Sequence, residues 1–121
     1  MKRDLELIRK ILIEIENKTS VSGWIVPELN GYAQDQIHYH IYLLGQANLI
    51  EVQNISSKES VGAFAAKNLT WAGHEFLNAT RNDTLWQKIK SSLGRQISEV
   101  TFDVIKDIAS HVIKRNMGLE S

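Results

Sequence analysis

The chain contains no cysteine. That excludes disulfides and thiolate metal sites and suits a reducing compartment, so a cytoplasmic protein is expected. It also lacks any excess of charge of one sign. Fourteen basic and fourteen acidic residues cancel, leaving no global pull toward nucleic acid or an anionic membrane. No apolar run approaches the length of a membrane span. The first ten residues, MKRDLELIRK, hold no uninterrupted apolar stretch, so neither a cleaved signal peptide nor membrane association is expected. The Gly-x-Ser-x-Gly elbow, the phosphate-binding P-loop and the dinucleotide-binding glycine pattern are all missing. Asp103 and Asp107 lie four apart, as a catalytic dyad would. Lys106 and the adjacent helix start account for them more simply as a solvated, dipole-favoured edge. The expectation is therefore a non-enzyme with no cofactor and no small-molecule substrate. Five Asn-x-Ser/Thr triplets, at Asn17, Asn54, Asn68, Asn78 and Asn82, are read as chance occurrences.

What is present is strong periodicity. A length of 121 residues suffices for one domain with its own core. In residues 4 to 16, Leu5, Ile8, Leu12 and Ile15 form one helical stripe, which Leu7, Ile11 and Ile13 widen, so this helix should be covered on more than one side. Pro27 argues against a helix at 23 to 32, and Trp24 to Val26 read as a short extended segment. A second helix follows, with Ile37, Ile41 and Leu44 at i, i+4 and i+7. Asn48 stands where a left-handed residue would stop it. LIEVQNIS and VGAFAAKNLT flank SSKES as two strands and a polar turn.

Thr70 is a candidate N-cap for a helix in which Trp71, His74, Leu77 and Asn78 alternate between faces. TLWQKIKSSLG reads as a further helix ending at Gly94. A last helix is expected from Thr101, with Val100 stapled to Ile105. Val104, Ile105, Ile108 and Val112 make its buried stripe, and Lys114 and Arg115 suit its carboxyl end. Trp24, Trp71 and Trp86 are read as core anchors. Lys88, Lys90 and Arg95 form the densest basic cluster, and a solvated helix face explains it better than a partner contact.

Helix, helix, two-stranded hairpin is the winged-helix order, with a very short segment where the first helix of the helix-turn-helix would stand. The fold class is mainly α with a small β-hairpin wing (α+β). The expected organisation is a single domain over 1–121, with a winged-helix-like core in 1–70 and a carboxyl-terminal helical extension in 71–121.

YHIYLLGQANLIEV resembles a winged-helix recognition helix running into its wing. The shared pattern falls on His40, Ile41, Leu44, Ala47 and Leu49-Ile50, with Asn48 replacing the usual glycine. LTWAGHEFL resembles the segment that leads many winged-helix regulators out of the wing. Taken together, MKRDLELIRKIL, IHYHIYLLGQANLI, LTWAGHEFLNATRNDTLW and TFDVIKDIA make nearly the whole chain resemble the domain of unknown function 2513 family, whose members are short bacterial and phage proteins. The resemblance implies a winged-helix-like fold, suggests phage derivation, and transfers no functional residue.

The outward positions of the second helix are Gln34, Asp35, Gln36, His38, Tyr39 and Tyr42. Gln34 and Gln36 could contact adenine edges, and protonated histidines could donate to guanine or phosphate. Asp35 would repel phosphate unless it accepts from cytosine. Phosphate contacts need cations, and the available set is small: Lys2, Arg3, Lys58 at the wing tip, and Lys67. Residues 37 to 52 include no lysine or arginine. The reading is a DNA-binding or regulatory protein in which Gln34, Gln36, His38, Tyr39, Tyr42 and Lys58 meet double-stranded DNA. The alternative is a protein-interaction or homodimerisation module using the same face without DNA. Tyr42 beside Leu43 suggests a covered surface, the cover being residues 84 to 116 or a partner subunit, with Leu43 as the contact. His38 and His40 point to different sides of a helix and cannot ligate one ion, so no metal is expected, and His74 and His111 add no metal-site spacing.

Overall fold

In a computed structural model, residues 1–94 are described together with 101, 103–105, 107, 108 and 111. The chain divides into two compact units, Met1–His74 and Glu75–Ser121.

The first unit is a mixed α+β, winged-helix-like arrangement. Helix α1 (Leu5–Glu16) starts at Asp4, whose carboxylate accepts from the Glu6 and Leu7 amides at 3.0 and 3.2 Å, satisfying two of the otherwise unpaired first-turn donors. Leu5, Leu7, Ile8, Ile11, Leu12 and Ile15 are all buried, so α1 is covered on more than one side, as its wide apolar face requires. The segment after it is extended at Ile25. This residue exchanges two 2.8 Å backbone hydrogen bonds with Ala66 and so adds a one-residue third strand to the wing.

Helix α2 (Gln34–Gln46) carries Ile37, Ile41 and Leu44 into the core. It stops as the sequence indicates. Asn48 adopts a left-handed φ of 59°, its amide bonds to the Gly45 carbonyl, and the Leu49 amide bonds to the Leu44 carbonyl, both at 3.0 Å. These two bonds are the Schellman pair, and they satisfy carbonyls that the last turn would otherwise leave open. Strands β1 (Ile50–Asn54) and β2 (Phe64–Leu69) pair antiparallel with Val52 opposite Ala66 and Asn54 opposite Phe64. A bulge between Ile50 and Val52 turns the base of the wing. Both α1 and α2 pack on the hairpin and on each other.

Helix α3 (Trp71–Thr80) is capped by Thr70, whose hydroxyl accepts from the Gly73 amide at 3.1 Å and donates to the Asn48 carbonyl at 2.6 Å. The cap therefore also ties α3 to the stop of α2. Two tryptophans depart from their expected place in the core. Trp71 is 82 % exposed. The buried face of α3 runs through Gly73, Phe76, Leu77 and Thr80, and at 100° per residue Trp71 falls on the opposite side. Trp24 is 43 % exposed, its ring lying beneath the Lys67 ammonium at 5.3 Å.

In the second unit, helix α4 (Asp83–Leu93) is capped by Asn82, stops at Gly94 with φ 56°, and buries Trp86 and Ile89. Lys88 is exposed, and Lys90 is half-buried with its ammonium over the Trp86 ring. The Thr101 hydroxyl caps the Val104 amide, and residues 103–105, 107, 108 and 111 are helical. Ile105 is buried and Ile108 half-buried, but Val104, expected in the same stripe, is 41 % exposed. It follows Asp103 on the side of the helix that faces water. Asp103 and Asp107 are both exposed. The roles assigned to Arg95, Val100, Lys106, Val112, Lys114 and Arg115 lie outside the described residues.

Candidate functional site: the face of the second helix and the wing

Helix α2 opens without a side-chain cap from Ala33, which has no acceptor to offer. Gln36 compensates from the third helical position, its Oε1 accepting from the Ala33 amide at 3.1 Å. The oxygen that would accept from an adenine amino group thereby already has one partner within the helix.

His38 and His40 leave α2 on different sides, as their spacing demands. The His38 Nδ1 is 3.0 Å from both the amide nitrogen and the carbonyl oxygen of Phe64. It accepts from the first when unprotonated and donates to the second when protonated. In either form the ring joins α2 to the first residue of β2. His40 is fully buried. Its Nδ1–H donates to the Gln36 carbonyl at 2.7 Å, and its Nε2 accepts from the Asp4 amide at 2.8 Å. Since the carbonyl can only accept and the amide can only donate, these partners define the neutral Nδ1–H tautomer. His40 thus fastens the residue that caps α1 to the middle of α2.

The tyrosines turn toward the wing. Tyr42 packs on Phe64 with ring centroids 5.1 Å apart and planes at 39°, and its hydroxyl accepts from the Gln46 side-chain Nε2 at 2.9 Å. Tyr39 is half-buried, edge-on to the His40 ring. Gln34 and Asp35 are exposed in the first turn, and Leu43 is half-buried.

The wing loop is organised by serines. Ser57 Oγ accepts from the Glu59 and Ser60 amides, and Ser56 Oγ from the Ala63 amide. Lys58 stands exposed on this loop beside the exposed Glu59. Of the other cations, Lys2 is exposed and Lys67 lies over Trp24. Arg3 is half-buried, and desolvation lowers its pKa from the ordinary value.

Between α2 and the wing lies an open cleft of about 400 Å³. Tyr39, Tyr42 and Phe64 supply aromatic wall, Val61 and Gly62 supply the wing side, and Asp35 and Met1 complete the lining. None of these is a lysine or arginine. The structure therefore gathers Tyr39 and Tyr42 at one site, while Gln34, Gln36, His38 and Lys58 are not among its lining residues. Phe64 escapes a reading of the sequence because its role depends on pairing with a helix 22 to 26 residues earlier. The available signal is that it is the one aromatic in VGAFAAKNLT. Among the described residues no group of three His, Cys, Asp or Glu could hold a metal ion, and no helix is long and apolar enough to cross a membrane.

The family model described as "Hypothetical protein (DUF2513)" matches residues 2–98. An uncharacterized protein of Haemophilus influenzae is 35 % identical over 119 residues, covering 98 % of this chain and 100 % of the relative. No solved structure matches the chain.

Proposed function

Taking as premise that the chain belongs to the family of hypothetical proteins DUF2513, a description that names no activity, we propose that it is a non-catalytic, cytoplasmic regulatory module that binds another protein through α2 and the wing. One observation carries this reading. The face where a DNA reader would present cations presents instead a cleft walled by Tyr39, Tyr42 and Phe64, with Asp35 as its charged side chain. Aromatic side chains at a partly desolvated concavity are the usual anchors of protein interfaces. Anionic Asp35 opposes phosphate, and the internal bonds of Gln36 and His38 leave fewer groups to read bases.

DNA binding is the second reading. It is favoured by the winged-helix-like order and by the exposure of Gln34 on α2 and Lys58 on the wing loop. In that mechanism Gln34 meets base edges in the major groove and Lys58 touches phosphate.

A site-specific crosslink separates the two. A photoreactive phenylalanine analogue at position 42, used in nuclease-treated host lysate, is expected to trap a protein adduct that the same analogue at exposed Glu14 on α1 does not. In parallel, a fluorescent duplex is titrated at 50 and 200 mM salt. Binding that falls steeply between the two and is weakened by Lys58→Ala establishes DNA reading and displaces the first proposal.

A further inference from the structure

We propose that the cleft between α2 and the wing is a receptor for one cationic side chain, an arginine or lysine presented by a protein partner. This rests on the protein-binding reading above and adds the chemistry of what is bound.

Tyr39, Tyr42 and Phe64 line one concavity, and the Tyr42 and Phe64 ring centroids lie 5.1 Å apart. Aromatic faces are negative and attract a cation within about 6 Å. Other rings in this chain already hold cations: Lys10 lies over Tyr32 and Lys67 over Trp24, each at 5.3 Å, and Lys90 over Trp86 at 5.8 Å. Among the described residues, no lysine or arginine lines the cleft with these rings. Asp35, exposed in the first turn of α2, supplies a full negative charge to the same concavity.

The walls are held in place before any ligand arrives. His38 bonds to the Phe64 backbone, Gln46 donates to the Tyr42 hydroxyl, and Ser56 closes the loop at Ala63. Such preorganisation lowers the cost of binding. A volume of about 400 Å³ exceeds what a lone ion needs and suits a long side chain with its adjoining backbone. A phosphate meets Asp35 with no lysine or arginine among the described lining residues to hold it, and a purely apolar side chain leaves the carboxylate without use. Met1 also lines the cleft and is largely exposed.

The test is an amide-shift NMR titration of the full chain with N-acetyl-Gly-Arg-Gly-amide, its lysine analogue and its citrulline analogue. Citrulline keeps the shape of arginine and removes the charge. The arginine and lysine peptides should give saturating shifts at Asp35, Tyr39 and Gly62, and the citrulline peptide should bind at least about fivefold more weakly. Asp35→Asn and Tyr39→Leu should each weaken the arginine peptide by about fivefold or more while the remaining spectrum is retained. Equal affinity for arginine and citrulline, insensitivity to Asp35→Asn, or shifts centred elsewhere would overturn the proposal. If the peptides fail while the position-42 crosslink still traps a protein, the cationic receptor falls and protein binding stands. If salt-sensitive duplex binding appears and the crosslink is lost, the protein-binding reading falls as well.

Discussion

Adding one methyl group at Gly73 tests the contact on which the base of the wing and α3 depend. Gly73 sits in the first turn of α3 in ordinary helical conformation, where alanine is normally about 1 kcal/mol better than glycine. A Cβ there would lie 2.0 Å from the Leu49 carbonyl oxygen and 3.0 Å from its carbonyl carbon. The obstacle is main chain, so no rotamer change removes it. Leu49 is held from both sides, because its oxygen accepts from the Thr70 amide at 3.0 Å and the residue before it is the left-handed Asn48. Relief of the clash therefore means moving α3 by more than an ångström or breaking the Leu49–Thr70 bond.

Overpacking of this kind costs about 1–3 kcal/mol, and the strained hydrogen bond adds about 1 kcal/mol. Set against the helix-propensity gain, Gly73→Ala should lose about 1–3 kcal/mol net, opposite in sign to propensity. Gly45→Ala is the matched control. Its Cβ would meet the Val52 side chain, at 2.6 Å from Cγ2, and β1 with its half-buried valine can yield more easily than a bonded carbonyl. Urea unfolding followed by far-ultraviolet circular dichroism should place the midpoints in the order wild type, Gly45→Ala, Gly73→Ala. A Gly73→Ala protein as stable as wild type, or more so, refutes the close approach of α3 to Leu49.

Other substitutions address the remaining joints. Asn48→Gly should stabilise by about 0.5–1 kcal/mol, because glycine adopts the observed φ of 59° without a Cβ penalty, and Asn48→Val should shift the urea midpoint the other way. His40→Ala should destabilise by about 2–4 kcal/mol through the lost buried ring and the orphaned Asp4 amide; in the wild type, ring nitrogen shifts at neutral pH should report the Nδ1–H tautomer. Gln36→Ala should fray the start of α2, costing about 0.5–1 kcal/mol and speeding amide exchange at Ala33. Gln34→Ala, at an exposed position, should change stability by less than about 0.5 kcal/mol.

The elements and their stops are legible in the chain alone, because those signals act between near neighbours. The wide stripe from Leu5 to Ile15, the left-handed asparagine after α2, the Thr70 cap and the Gly94 stop each rest on contacts within about five residues, and each recurs in the structure. What the side chains of α2 do depends on neighbours distant in the chain. Gln36 and His38 have the composition of base readers, but a main-chain amide three residues back claims the first and β2 claims the second. Periodicity could not distinguish exposed Trp71 from buried Trp86. Which side of a helix meets a neighbour is settled by the neighbour, and here by the backbone passing against Gly73. The cleft arises in the same way: Asp35, Tyr39 and Tyr42 come from one helix and Phe64 from a strand about twenty residues onward. Their joint negative surface exists only when the hairpin folds back across α2.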